Sequence, residues 1–233
     1  ESLEYRRKHL SWSHKPHEIN EPTLIRYSAK RIEGKKIAHK LQLRGANFEL
    51  LDRDETRSRN SEFVLLSPSI SVFEGKIFID EFVFLKVLNL NDADIYIPGE
   101  NTFSWGVEIA RKSLSEKCFP CSTGFASAAI GKSFYFSDPL SAYFLLNISA
   151  HGSKLNSGNL SSSIESGLVL RPHENLKLHV GYESIRYKSS RIFDEDIFSV
   201  NAKFNASPEK DLEIKFKKAS DYSSLQIDLN FYF

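Results

Sequence analysis

From Thr23 to the carboxy-terminal Phe233, apolar and polar residues alternate with a period of two, interrupted at intervals by turn residues. Successive side chains of a strand point to opposite faces, so this period predicts strands with one apolar and one polar face. The final stretch is the clearest: Leu225, Ile227, Leu229, Phe231 and Phe233 share one face, and Gln226, Asp228, Asn230 and Tyr232 share the other. Near the start, Ile25, Tyr27 and Ala29 oppose Arg26, Ser28 and Lys30. Glu33-Gly34-Lys35 then turns the chain into Ile37, Leu41 and Leu43, which alternate with Lys40, Gln42 and Arg44. Val64, Leu66, Ile70 and Val72 open a second hairpin that turns at Glu74-Gly75-Lys76. Lys76 to Leu90 returns as the most apolar strand, and its double-sided apolar character predicts packing on each face.

Phe103, Trp105, Val107 and Ile109 mark a further strand, and the remainder fall at roughly 124–136, 140–149, 160–170, 176–187, 197–206 and 212–218. The pattern predicts about twelve antiparallel strands. Strands this long, even in number, with lipid-compatible side chains on one face and polar ones on the other, describe an all-β, up-and-down β-barrel of outer-membrane type. A soluble sandwich would tend to shorter strands at closer spacing. Phe48 to Asp52 reads as one helical turn, and Arg53 to Asn60 as a charged connection. The connections around 48–60 and 91–101 fall on the side of the two termini and are long, where a simple barrel has tight turns; a docking surface for a preceding domain would explain them.

Composition narrows the function classes. The 31 basic and 30 acidic residues nearly cancel, so nothing points to nucleic acid. No run of about 18 apolar residues occurs, which excludes a spanning helix but not a spanning barrel. Residues 1–22 read as a short helix and Pro-containing linker, or the tail of a preceding domain, before a barrel domain at 23–233. The absence of methionine and of a signal peptide suggests a mature product or an excised domain.

Candidate chemistry is sparse. Cys118 and Cys121 are the only cysteines. In an oxidising compartment they read as a disulfide across a loop; a redox pair would need a helix amino-terminus, and a metal site two further soft ligands. Asn91, Asp92, Asp94 and Glu100 offer oxygen ligands to a hard cation, in a spacing unlike the EF-hand and common in turns. Among the 7 histidines, His151 beside a serine-rich stretch, with Glu165 on the next strand, resembles the set that a lipid-hydrolysing barrel would use. Lys203, Lys215 and Lys217 fall on polar faces opposite Asp211, Glu213 and Asp228, which predicts a salt-bridged interior. No catalytic, cofactor or metal residue is assigned.

A set of features in order resembles the carboxy-terminal barrel domain of a bacterial cell-envelope family of largely unknown function. They are Pro16-His17, Phe48-Glu49-Leu50-Leu51-Asp52, the strand Ile77 to Leu90, Phe103-Ser104-Trp105-Gly106-Val107-Glu108, the Cys118–Cys121 pair, and Gly124 with Gly131. The resemblance implies an amino-terminal papain-like domain, related to lipoprotein N-acylation, lying upstream of Glu1 and carrying the chemistry. This chain would then be a non-catalytic barrel in a Gram-negative outer membrane. Its partners would be membrane lipid, that periplasmic domain and lipoproteins or acyl chains, and it would need no cofactor. A small channel, a lipid-acting barrel enzyme and a soluble secreted β-domain are the alternatives.

Overall fold

The computed structural model describes residues 23–52, 60–90, 103–113, 122–137, 139–152, 160–188 and 194–233. Its strands are β1 (Leu24–Ile32), β2 (Ile37–Arg44), β3 (Ala46–Phe48), β4 (Ser61–Phe73), β5 (Lys76–Asn89), β6 (Phe103–Lys112) and β7 (Thr123–Ser137), followed by β8 (Leu140–His151), β9 (Leu160–His173), β10 (Leu176–Tyr187), β11 (Glu195–Ser207), β12 (Lys210–Lys218) and β13 (Ser223–Tyr232). Each pairs antiparallel with its neighbour, and β13 returns to β1 in continuous register from Leu24 opposite Tyr232 to Ile32 opposite Ser224. Because β2 and β3 both pair with β4, they are two parts of one strand broken at Gly45, and the sheet closes as a barrel of 12 strands. Closure leaves no free edge.

Two of the turns at the end away from the termini follow from glycine. Glu74 and Gly75 adopt φ of 51° and 75°, the positive values that a two-residue hairpin of the primed type requires, and Gly34 is positive at 73° in the longer connection from β1 to β2, where the Lys35 amide donates to the Ile32 carbonyl. Opposite them, the terminus end carries the tight connections between β7 and β8, β9 and β10, and β11 and β12.

The outer wall is apolar. On β13, Leu225, Ile227, Leu229 and Phe231 are 41–44% exposed and Phe233 61%, while Asp228, Asn230 and Tyr232 on the inner face are buried. Ile77, Ile109, Ile130, Ile148 and Leu168 continue the exposed belt around the barrel. Hydrophobic side chains arranged this way have no protein to pack on and match a lipid surround.

One strand departs from simple alternation. The period of two puts Val64 on the same face as Leu66, Ile70 and Val72, yet Val64 is buried inside with Val83 and Ala110 while the others face outward. The switch occurs at Leu66, whose left-handed φ of 51° places it outward beside Leu65. β5 is apolar on both faces for two separate reasons. Phe84, Ile77 and Ile79 join the outer belt, and inside, Leu88 packs beside Leu90 on a cluster with Tyr143, Leu145 and Val169.

The short amino-terminal helix and linker expected over 1–22, the pair Cys118 and Cys121, and the oxygen-rich stretch from Asn91 to Glu100 lie outside the described residues.

Candidate functional site

The stretch Phe48 to Asp52 is not a turn of helix. Phe48 ends β3, and the chain then closes a tight turn in which the Asp52 amide donates to the Glu49 carbonyl at 3.0 Å and the Glu49 amide donates to the Asp52 carboxylate at 2.6 Å. The turn folds into the barrel. Leu50 packs on the interior cluster of Leu90, Tyr143, Leu145 and Val169, and Leu51 is buried. Packing alone does not hold it, since the Glu49 and Asp52 carboxylates and the Leu50 and Asp52 carbonyls are all met by side chains of the surrounding wall.

Glu49 takes a forked pair of hydrogen bonds from Arg26, at 3.1 and 2.5 Å, and an ion pair from Arg44 at 2.7 Å. The planar guanidinium suits a carboxylate in this bidentate geometry. Lys177 donates to the Asp52 carbonyl at 2.7 Å and to the Leu50 carbonyl at 3.4 Å. Lys203, fully buried, donates a short bond to the Asp52 carboxylate and pairs with Asp211 at 3.0 Å. Tyr232 donates to Asp211 at 2.5 Å and lies 3.3 Å from Asp52. Behind Arg26, Lys215 pairs with Glu213 at 3.0 Å and Asp228 at 2.9 Å. The salt-bridged interior expected from Lys203, Lys215, Asp211, Glu213 and Asp228 is therefore present, with the 49–52 turn as its unforeseen member.

Arg26, Lys177, Lys203 and Tyr232 all sit toward the terminus end of their strands, so the turn lies inside the lumen near that mouth. Above it the lumen holds a cavity of about 630 Å³, with Glu49, Leu50 and Leu51 at its floor. Its wall is largely charged and hydroxylic: Lys40 bonds Glu81 at 2.7 Å, Lys86 bonds Glu62 at 2.9 Å and Lys112 bonds Glu108 at 2.7 Å. Such a lining suits water and polar solutes.

Glu49 lies between strands, and its titration follows from this setting. Burial alone would push its carboxyl up, but the guanidinium groups of Arg26 and Arg44 outweigh burial and hold it well below the usual carboxylate range. A depressed folded-state value means that the carboxylate's contribution is fully present above the unfolded value and is lost as pH falls through the folded one. The turn should therefore stay pinned at neutral and mildly acidic pH and loosen only in acid well below pH 4.5. Unfolding measured against pH should show an acid limb that Glu49→Gln weakens, with no change between neutral pH and pH 6.

His151 does not form the hydrolytic set. It faces inward, away from the lipid-facing wall, stacks edge-on against Tyr187 at 5.5 Å, and neither ring nitrogen has a hydrogen-bond partner. Glu165 bonds elsewhere: Tyr143 donates to it at 2.8 Å, and the Tyr143 oxygen lies 2.8 Å from His179 Nε2. Asn201 Nδ2 lies 3.4 Å from His179 Nδ1, so one neutral tautomer, protonated at Nε2, satisfies the whole relay. No serine enters it. Among the described residues, no group of three or more His, Cys, Asp or Glu is placed to hold a metal.

Comparisons with known proteins agree with the barrel. A profile described as Domain of unknown function (DUF7840) matches residues 13–233. No curated protein matches the chain. Among solved structures, the NanC porin superposes with a TM-score of 0.57 at 7% identity, covering 90% of this chain and 100% of that one. The KdgM porin in complex with disordered oligogalacturonate gives 0.54 at 9% identity, over 90% and 99%. The COG4313 outer membrane channel from Pseudomonas putida F1 gives 0.50 at 7% identity, over 95% and 99%. At these identities the likeness is one of fold, that of outer-membrane barrels.

Proposed function

The chain belongs to the family described as Domain of unknown function (DUF7840), and we propose that it is an outer-membrane barrel whose polar lumen is a small channel, closed at the terminus end by the 49–52 turn. The observation that carries this reading is the pairing of a charged cavity of about 630 Å³ with a stopper made of one short turn, held by side chains from β1, β2, β10 and β11. A structural filler would need only apolar packing. A turn pinned by Arg26, Arg44, Lys177 and Lys203 is instead a discrete element that leaves as a unit when its charges are removed. The porin-like fold supports the reading, and the exposed apolar belt supports a place in the outer membrane with the termini in the periplasm.

The full chain in planar bilayers should be closed for most of the recording. Replacing residues 49–52 with Gly and Ser should give stepwise ohmic openings, in protein that still shows the heat-shifted band of a folded barrel on unboiled gels. A folded variant that remains closed would remove the channel reading. It would favour the second one, that the barrel anchors and positions a periplasmic, acyl-transfer-like domain upstream of Glu1. The stoppered mouth favours that second reading in its own way, because an anchor has no use for an open lumen. Binding of such a domain to the terminus end, lost on deleting 53–59 or 91–101, would support it.

A further inference from the structure

We propose that Glu165 on β9 and Glu183 on β10 draw cations to their side of the lumen and shift the ion preference of the opened channel toward them; the inference rests on the channel reading. The two residues are direct cross-strand partners and both line the cavity. Like charges directly opposite on one face of a sheet repel, so the arrangement costs stability where it stands. No Lys or Arg is in contact with either carboxylate, although Lys112 and Lys217 act on Glu183 from farther off. Glu165 accepts from Tyr143 at 2.8 Å and from Asn147 at 3.5 Å, Glu183 accepts from Ser163 at 2.8 Å, and among the described residues neither is in an ion pair.

The rest of the lumen is different. Glu49, Glu62, Glu81, Glu108 and Glu213 each sit against a Lys or Arg within 4.0 Å. Their partners come from β1, β2, β5, β6, β11 and β12, and among the residues that line the cavity itself β7 to β11 contribute Glu165, Glu183 and Glu195 and no Lys or Arg. Paired charges project a weak field beyond their own contact, and an unpaired pair in a low-dielectric wall projects a strong one. Glu165 and Glu183 therefore make the lumen locally negative on this side, while Lys30 and Lys217 line other parts of the wall.

Two glycines keep that side open. Gly167, two residues after Glu165, pairs with Gly181, two residues before Glu183. A Cβ at Gly167 would lie 2.5 Å from the Tyr143 ring, and one at Gly181 would lie 2.9 Å from His179. With glycine at both positions, Tyr143 rests against the backbone and stacks on His179 at 5.8 Å, its hydroxyl on Glu165. Rings of acidic side chains at this kind of position favour cations in pores. Small inorganic cations and protonated amines are the solutes that fit.

The test is reversal potential under a KCl gradient, on the full chain carrying the Gly/Ser replacement of 49–52. The replacement also removes Glu49 and Asp52 from beside Arg26, Arg44 and Lys203, so the quantity read is the change in permeability ratio that Glu165 and Glu183 cause in this opened chain. Glu165→Gln with Glu183→Gln should shift the ratio several-fold toward chloride, while Glu165→Asp with Glu183→Asp should retain it. Folding of each variant is checked by its heat-shifted gel band. An unchanged ratio in the double Gln variant, or a shift toward potassium, would overturn the inference while leaving the channel intact. A folded chain that never conducts would instead remove the channel reading, and this inference with it.

Discussion

Replacing Lys203 with Ala is expected to cost the folded barrel about 3–5 kcal/mol and to release the 49–52 turn. The magnitude follows from what remains behind. Lys203 is fully buried and stands between Asp52 on the turn and Asp211 on β12. Without it, two carboxylates face each other across a site shielded from water, joined only through Tyr232. The barrel cannot move Asp211, which lies in the β11–β12 pairing opposite Asn205. The turn is the part that can yield. The expected readouts are a lower temperature for loss of the heat-shifted band and the appearance of conductance steps. Cancelling the acids as well, with Lys203→Met, Asp52→Asn and Asp211→Asn together, should restore most of the stability, because cancelling every charge of a buried cluster costs far less than cancelling one. A Lys203→Ala barrel as stable and as closed as the parent would show that apolar packing of Leu50 and Leu51 holds the turn alone.

The wall of this barrel was legible in the sequence and its stopper was not, for reasons of distance along the chain. Leu225 to Phe233 alternate so regularly that their outward face follows from the strand period alone. The hairpins at Gly34 and Gly75 follow from turn chemistry, since each occupies a positive φ that glycine adopts freely. The ion pairs among Glu213, Lys215 and Asp228 were also within reach, because β12 and β13 are consecutive and their polar faces must meet. Asp52 is another matter: its partners Lys203 and Tyr232 lie 151 and 180 residues away. Nothing local in Phe-Glu-Leu-Leu-Asp separates a surface helical turn from one tucked inside a barrel. The only trace was the apolar inner face of β5, which needed something to pack on and found Leu50. Leu66 escaped for a different reason, since a single left-handed residue reverses the parity of a strand without leaving a compositional mark. His151, read as a candidate base beside a serine-rich stretch, is instead buried against Tyr187, a contact set by which residues two strands away project to the same height.

Arg26 carries the second large effect, and it separates charge from shape. Its guanidinium reaches Glu49 through two hydrogen bonds at 3.1 and 2.5 Å, Asn230 through Nε at 2.5 Å and Glu213 at 3.4 Å. It therefore ties the turn to β12 and β13 at once. Arg26→Ala leaves Glu49 with Arg44 and strands Glu213 and Asp228 on Lys215 alone, an imbalance expected to cost about 3–5 kcal/mol. Arg26→Lys keeps the charge but offers a point cation in place of a rigid fork, so it cannot satisfy Glu49 bidentately and Asn230 together. The expected order of stability, read from urea unfolding in lipid vesicles, is parent above Arg26→Lys above Arg26→Ala, with conductance steps increasing in the reverse order. If Arg26→Lys matched the parent in both, net charge alone would hold the turn; if it fell as far as Arg26→Ala, the forked geometry would account for nearly all of the restraint. An intermediate value places part of the restraint in each, and this is what a site with both a carboxylate fork and an amide acceptor around one guanidinium should give.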